Sequence, residues 1–221
     1  MRILLRLVPG LVVLAVALVV LAPAALLDAP LAARTGNRLH LVDTRGVWWR
    51  GEGALATSDG AAHVPFAWKV ALAPLLTGRL VAALRASDGA AGPTGTIAFA
   101  DGTIGVRDLH AVVPAALVPA LAPSLKAVAL RGDIELFAPS FTWRGTTGSG
   151  TVDATWAHAR VIAGPWAVDF GRVIAKGVPA GDGIAGTVQA SGGDVTIEGT
   201  LDTRAGATSA SLELAPAPGA S

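Results

Sequence analysis

Four histidines, scattered carboxylates and six tryptophans are the residues with which this chain could do chemistry. His40, His63, His110 and His158 stand far apart, and no H-E-x-x-H or comparable ligand spacing joins them. Surface or strand-edge histidines are the plainer reading. There is no cysteine, which excludes a thiolate nucleophile, a disulfide framework and a thiolate metal site. No Gly-x-Ser-x-Gly elbow occurs, and Thr57-Ser58-Asp59-Gly60 reads as a turn. The Gly-x-x-x-x-Gly-Lys-Ser/Thr loop that cradles phosphates is missing, and Gly148-Ser149-Gly150 lies among turn residues with no helix after it. Asp133 and Glu135 share a face of one strand, which is a solvated face more often than an acid–base pair. No catalytic, cofactor-binding or metal-binding residue is assigned, and no cofactor is expected.

The tryptophans are Trp48, Trp49, Trp68, Trp143, Trp156 and Trp166, and tyrosine is absent. Binders of sugars and single strands set aromatics on one face at strand spacing. Trp48 and Trp49 are neighbours, in VDTRGVWWRGEGAL, so within a strand they point to opposite faces. One is then expected in the core and the other on the reverse face or under a loop. If Trp49 is the fully buried one, truncation to alanine costs about 3–5 kcal/mol. Trp48, Trp49, Gly51, Trp68, Trp143 and Trp156 are the candidate structural or interaction residues, with Trp68 and Trp156 read as wedges among small neighbours.

The elements around them read as strands. Val64, Phe66, Trp68, Val70 and Leu72 alternate with the period of two that marks a strand. Thr96–Phe99 and Thr103–Val106 flank Asp101-Gly102, a hairpin signal. Pro114, Pro119 and Pro123 forbid a long helix but allow a short turn starting at Pro114. Pro74–Gly78 reads as a similar turn. Strands resume from Val128, with Gly192-Gly193-Asp194 and Glu198-Gly199 as turns. Trp49-Arg50-Gly51 recurs as Trp143-Arg144-Gly145, a hint of duplication that reuse of turn chemistry also explains. The expected fold class is all-β: an N-terminal transmembrane helix, then a predominantly antiparallel β domain of about a dozen short strands, built as a sandwich, curved sheet or open barrel-like form with short helical turns.

Composition agrees. The chain has 221 residues, 52% hydrophobic and 15% charged, with 27 glycines and 14 prolines. That is too apolar for disorder and too poor in lysine and glutamate for a helical bundle. A net charge of +1 argues against nucleic acid. Arg2 and Arg6 precede a stretch free of charge from Leu7 to Leu27, long enough to span a bilayer core. The arginines place the N-terminus in the cytoplasm. Ala22-Pro23-Ala24 has the small-x-small pattern of a cleavage site, but the apolar run exceeds the 7–15 residues of a signal core. An uncleaved anchor is expected. Taking Arg2 and Arg6 from the 17 basic residues leaves 15 against 16 acidic, a net of −1 and no field for steering polyanions. The expected division is 1–27 cytoplasmic start and anchor, 28–40 juxtamembrane linker, 41–214 β domain across the membrane, and 215–221 disordered tail.

A series of landmarks in order resembles type II secretion system protein N, the general secretion pathway protein N family of Gram-negative bacteria. Gly46-Val47-Trp48-Trp49-Arg50-Gly51, behind the N-terminal anchor, looks like that family's Gly-x-x-Trp-x-Gly signature. Trp68 with Pro74-Leu75-Leu76-Thr77-Gly78-Arg79-Leu80, then Asp108-Leu109 with Val113-Pro114, continue the series. Leu130-Arg131-Gly132-Asp133-Ile134-Glu135-Leu136, Gly150 to Trp156-Ala157, and Gly199-Thr200-Leu201 close it. Val47 stands where a small hydroxyl residue is usual, and the tail is unusually rich in alanine and glycine. The resemblance implies a single-pass inner-membrane protein with a periplasmic β domain and no enzymatic activity. It implies partners in the outer-membrane secretin and the inner-membrane platform, with membrane lipid around the anchor. The alternative reading is a periplasmic handler of lipid or lipopolysaccharide with an apolar β groove. An enzyme would need a cleft with convergent polar groups.

Overall fold

The computed structural model describes residues 17–87, 92–122, 125, 127–204 and 207–216. Thirteen strands form one sheet: β1 (Leu39–Val47), β2 (Arg50–Thr57), β3 (His63–Val70), β4 (Leu80–Ala86), β5 (Thr94–Ala100), β6 (Thr103–Pro114), β7 (Ala129–Arg144), β8 (Thr147–Gly150), β9 (Val152–Ala163), β10 (Trp166–Ala180), β11 (Gly183–Ser191), β12 (Val195–Arg204) and β13 (Ala207–Pro216). Among the described residues every pairing is antiparallel, and apart from β8 each strand lies beside its neighbours in sequence. The one deviation is at β7, whose far end pairs with β8 while the rest pairs with β9. β1 and β13 are the two free ends of the path, so among the described residues the sheet neither closes into a barrel nor doubles into a sandwich.

The antiparallel β class and the number of strands match the sequence reading; the expected shortness does not. β7 and β10 run for 16 and 15 residues, through Pro139 and through Gly171, Gly177 and Pro179. The Asp101-Gly102 hairpin forms as the sequence predicts: Ala100 pairs with Thr103, and both turn residues take positive φ (50° and 71°). The short turn after Pro114 is the 3-10 helix Ala115–Leu117, followed by the helix Val118–Leu121. The alternation from Val64 ends at Val70, and Leu72 begins a helical turn, Leu72–Leu75.

The expected helix through Leu27 is corrected. Residues 17–20 are helical. Pro23 is then extended (φ −67°, ψ 148°) and makes an isolated bridge with Val47. Proline lacks the N–H that a helix needs and disfavours helical geometry in the residue before it. Among the described residues no helix is long and apolar enough to cross a membrane. Arg2, Arg6 and the expected span from Leu7 to Val16 lie outside the described residues. The stretch expected as a linker is also structured. Asp28–Thr35 is a helix, closed by Gly36 in the left-handed region (φ 61°) and by the Asn37 amide donating to the Ala32 carbonyl at 2.7 Å. Of the expected tail, Ala215 and Pro216 belong to β13, and 217–221 lie outside the described residues.

A buried cluster gathers where these helices meet the sheet. Leu39, Ala62, Val64 and Leu117 are buried together, with Leu31, Leu55, Val113, Ala116 and Ala120 against them. The helices Asp28–Thr35 and Val118–Leu121 and the turn Ala115–Leu117 thus cover one end of one face. Farther along, among the described residues, the buried apolar side chains are alanines: Ala138, Ala159 and Ala190.

Register shows what that face is. Directly paired residues share a face. One row runs Val113–Ile134–Trp156–Val173–Ala190–Ile197–Leu214 from β6 to β13. The next runs Ala111–Leu136–Ala154–Ala175–Val188–Gly199–Leu212. Neither row contains a charged or hydrogen-bonding side chain except the Trp156 indole, which donates to the Arg131 carbonyl at 2.8 Å. The opposite face carries Glu135, Thr155, Ile174, Gln189, Glu198 and Glu213 in one row, polar but for Ile174. The sheet is one layer with an apolar side and a polar side.

Candidate functional site

The β1–β2 hairpin tip gathers four of the six candidate residues. Val47 pairs with Arg50, so Trp48 and Trp49 are the two turn residues and not strand neighbours on opposite faces. The expectation of one core and one reverse-face tryptophan is therefore corrected: both are half-buried, and both reach back to the N-terminal segment. The Trp48 indole N–H donates to the Val19 carbonyl at 2.6 Å, and that of Trp49 to the Val20 carbonyl at 2.9 Å. These carbonyls stand at the end of a helix, and that of Val19 also accepts from the Ala22 amide at 3.4 Å. The Trp48 amide donates to the Ala22 carbonyl at 3.1 Å. The tip and the N-terminal segment are thus tied by two indole hydrogen bonds and by the Pro23–Val47 bridge, of which the Trp48 amide bond is a part.

Trp68 lies under the tip. It is 7% exposed, and its indole donates to the Trp48 carbonyl at 2.9 Å. Its ring meets that of Phe66 at 5.6 Å and crosses the backbone of Gly51, its direct partner on β2. A Cβ at Gly51 would sit 2.7 Å from that ring and 2.6 Å from the Arg45 carbonyl oxygen, so only glycine fits there. Trp143 repeats the device elsewhere, stacked on Phe141 at 6.3 Å and lying over Gly148, where a Cβ would come within 2.7 Å of its ring. Trp156 sits on β9, away from both. The structure therefore joins Trp48, Trp49, Gly51 and Trp68 and leaves Trp143 and Trp156 as separate packing residues. The repeated Trp-Arg-Gly is not a repeated unit: Trp49 is a hairpin tip and Trp143 lies within a long strand.

Beside the tip, on the face opposite Trp68, lies a group that the sequence reading missed. Arg45, Glu52, Ala67 and Arg85 are directly paired across β1 to β4. Val47, Arg50, Lys69 and Ala83 form the adjacent row on the same face. These residues line a shallow open cleft of about 560 Å³. Arg45 contacts Glu52 at 3.7 Å. Once Trp48 and Trp49 are seen as a two-residue tip, the pairings 47 with 50 and 45 with 52 follow by counting. That is the signal that could have found the group.

The histidines do not converge. His40 meets Asp28 at 3.4 Å, His63 meets Asp43 at 3.4 Å, and His110 meets Glu135 at 2.8 Å. Among the described residues no three of His, Asp and Glu come together as metal ligands. Asp59 is held below the usual carboxylate range, chiefly by the Thr57 hydroxyl and then by the Ala61 amide, which donates at 3.0 Å. Both contacts lie within its own turn, so the shift belongs to the turn and marks no reactive centre.

No curated protein and no solved structure matches the chain. The family described as Type II secretion system (T2SS), protein N, matches residues 37–221, which spans the whole sheet from before β1 through β13. The chain belongs to the type II secretion system protein N family.

Proposed function

We propose that the protein is a non-enzymatic accessory component of the type II secretion machinery. Its N-terminal apolar segment holds it in the inner membrane, its N-terminus is cytoplasmic, and its sheet lies in the periplasm. There it contacts the outer-membrane secretin and the inner-membrane platform during export of folded proteins. The family match over 37–221 carries this reading. An interaction role also suits an open sheet with edge strands, which can add a strand from a partner. Deleting the gene in its host is expected to lower the level of type II substrates in the medium and raise it in the periplasm, with export from the cytoplasm intact. Unchanged levels in the medium would reject the reading.

A second reading has its own support in the apolar side of the sheet. Two rows of apolar residues cross from β6 to β13, and among the described residues no second sheet lies over them beyond the helices at the Val113 end. Such a face suits acyl chains, and the chain would then handle lipid or lipopolysaccharide. Lipid that co-purifies with the protein, and that is lost when Val188 and Ile197 are both made polar, is the outcome that would favour this reading over the first.

A further inference from the structure

The cleft beside the hairpin tip holds four cations and one carboxylate: Arg45, Arg50, Lys69 and Arg85 against Glu52. The carboxylate is already engaged by Arg45. Arg50 and Lys69 are direct cross-strand partners, so two like charges face each other, an arrangement that destabilises a sheet. Among the described residues no acidic side chain contacts Arg50, Lys69 or Arg85. The charge is left uncompensated on an exposed face, where an anion would relieve it.

Position says which anion. Pro23, Val47, Arg50 and Lys69 stand in one row across adjacent strands. At about 4.8 Å per strand, Arg50 lies about 10 Å from Pro23. Pro23 lies within the apolar segment, just past its helical residues 17–20, where Leu18, Val19 and Leu21 are exposed. Trp48 and Trp49, tied to Val19 and Val20, sit at the same level, and tryptophan is the residue that favours the headgroup zone of a bilayer. Arginine and lysine bind phosphate oxygens through charge-assisted hydrogen bonds, and at headgroup level the phosphates within reach are those of lipids.

We infer that this cleft binds the phosphate of an anionic phospholipid headgroup in the leaflet that the N-terminal segment enters. Arg50 and Lys69 form its centre, and Arg45 and Arg85 flank it. The contact fixes the tilt of the sheet relative to the membrane, because the cleft and the segment are joined through the same hairpin. The inference rests on the reading that the segment is a membrane anchor.

The test uses the full chain in a non-ionic detergent, titrated with dihexanoyl phosphatidylglycerol, dihexanoyl phosphatidylcholine and inorganic phosphate, with binding followed by calorimetry. Phosphatidylglycerol is expected to saturate the site, and phosphatidylcholine is not. R50Q/K69Q is expected to weaken phosphatidylglycerol about 25-fold, fivefold for each cation removed. E52Q, which changes the charge in the other direction, is expected to tighten it about fivefold, so the inference does not hang on one variant staying folded. Equal binding of the two lipids, or variants that bind as the parent does, would overturn it. So would inorganic phosphate displacing the lipid at equal concentration, which would make this a site for a free anion. A poly-glutamate peptide that outcompetes the lipid would assign the cleft to an acidic protein partner instead. Alkaline washing of membranes separates this from the anchor: a chain that washes off has no anchor, and one that stays but ignores phosphatidylglycerol refutes the cleft alone.

Discussion

The two edges of the sheet are treated in opposite ways. β1 is held along its length. The Leu41 amide donates to the Asp28 carboxylate at 2.8 Å, the Leu39 amide to the Thr35 hydroxyl at 3.3 Å, and Val47 is bridged by Pro23. A register shift between Val42 and Arg45, with Asp43 at positive φ (54°), breaks the strand's line. β13 has none of this. Its ten residues pair with β12 without a shift, they include no lysine or arginine, and their one proline is the last residue. Natural edges are blunted by charge, proline, bulges or a covering element. β1 uses a bulge and a cover; among the described residues nothing covers β13. Among the described residues, β13 is therefore the edge whose ladder a further strand could join.

Truncating one leucine on each edge breaks or upholds this contrast most sharply. Leu39 on β1 is 1% exposed and Leu214 on β13 is 62% exposed. Leu39→Ala is expected to cost about 2–5 kcal/mol, because it empties the centre of the cluster with Val64 and Leu117. Leu214→Ala is expected to cost less than about 1 kcal/mol, since most of its area is already in water. Urea unfolding of both variants measures the difference. Comparable losses would mean that the β13 side is packed by something outside the described residues.

The hairpin tip separates what the sequence shows locally from what it does not. Asp101-Gly102 is legible because the two residues themselves supply the positive φ that the turn requires. The face of β3 is legible because Val64, Phe66 and Trp68 alternate against one buried surface. Trp48-Trp49 is not: neither is a turn former, and the tip is held by carbonyls of Val19 and Val20, 29 residues away. The same holds for β10, whose Gly171, Gly177 and Pro179 read as breaks. Gly171 sits at a register shift with φ 65°, and Gly177 and Gly186 face each other, where a Cβ on Gly186 would clash with the Lys176 carbonyl oxygen. Those pairings exist only once the neighbouring strands are in place. The family landmarks were legible throughout, and they carried the identity that no side-chain constellation could.

Trp49→Ala tests the tie between tip and N-terminal segment, with a smaller effect. The sequence-based figure of about 3–5 kcal/mol applied to a fully buried residue. Trp49 is half-buried and gives one indole hydrogen bond, so about 1–2 kcal/mol is expected. The same variant should speed hydrogen exchange at the Trp48 amide, which bonds to the Ala22 carbonyl, while the β12–β13 amides stay unchanged. A loss confined to partner binding, at full stability, would instead make Trp49 a contact residue.

The smallest change in stability falls on the open edge and is the most informative about its use. Leu214→Lys places a charge at the outer rim of the apolar face, beyond Ile197 on β12. Since Leu214 is mostly in solvent, its stability should move by no more than about 0.5 kcal/mol. Lysine on an edge opposes the approach of a further strand, because it must be desolvated or carried past the incoming backbone. The folded variant should therefore lose any association that proceeds by strand addition, seen as a lower apparent mass in light scattering of the concentrated chain or as lost capture of a partner. Glu198 and Glu213 stand directly opposed beside it, so the strand that fits best brings a basic residue to the row next to Glu213. A variant that is equally stable and associates as before would show that β13, despite its open ladder, is not where partners attach.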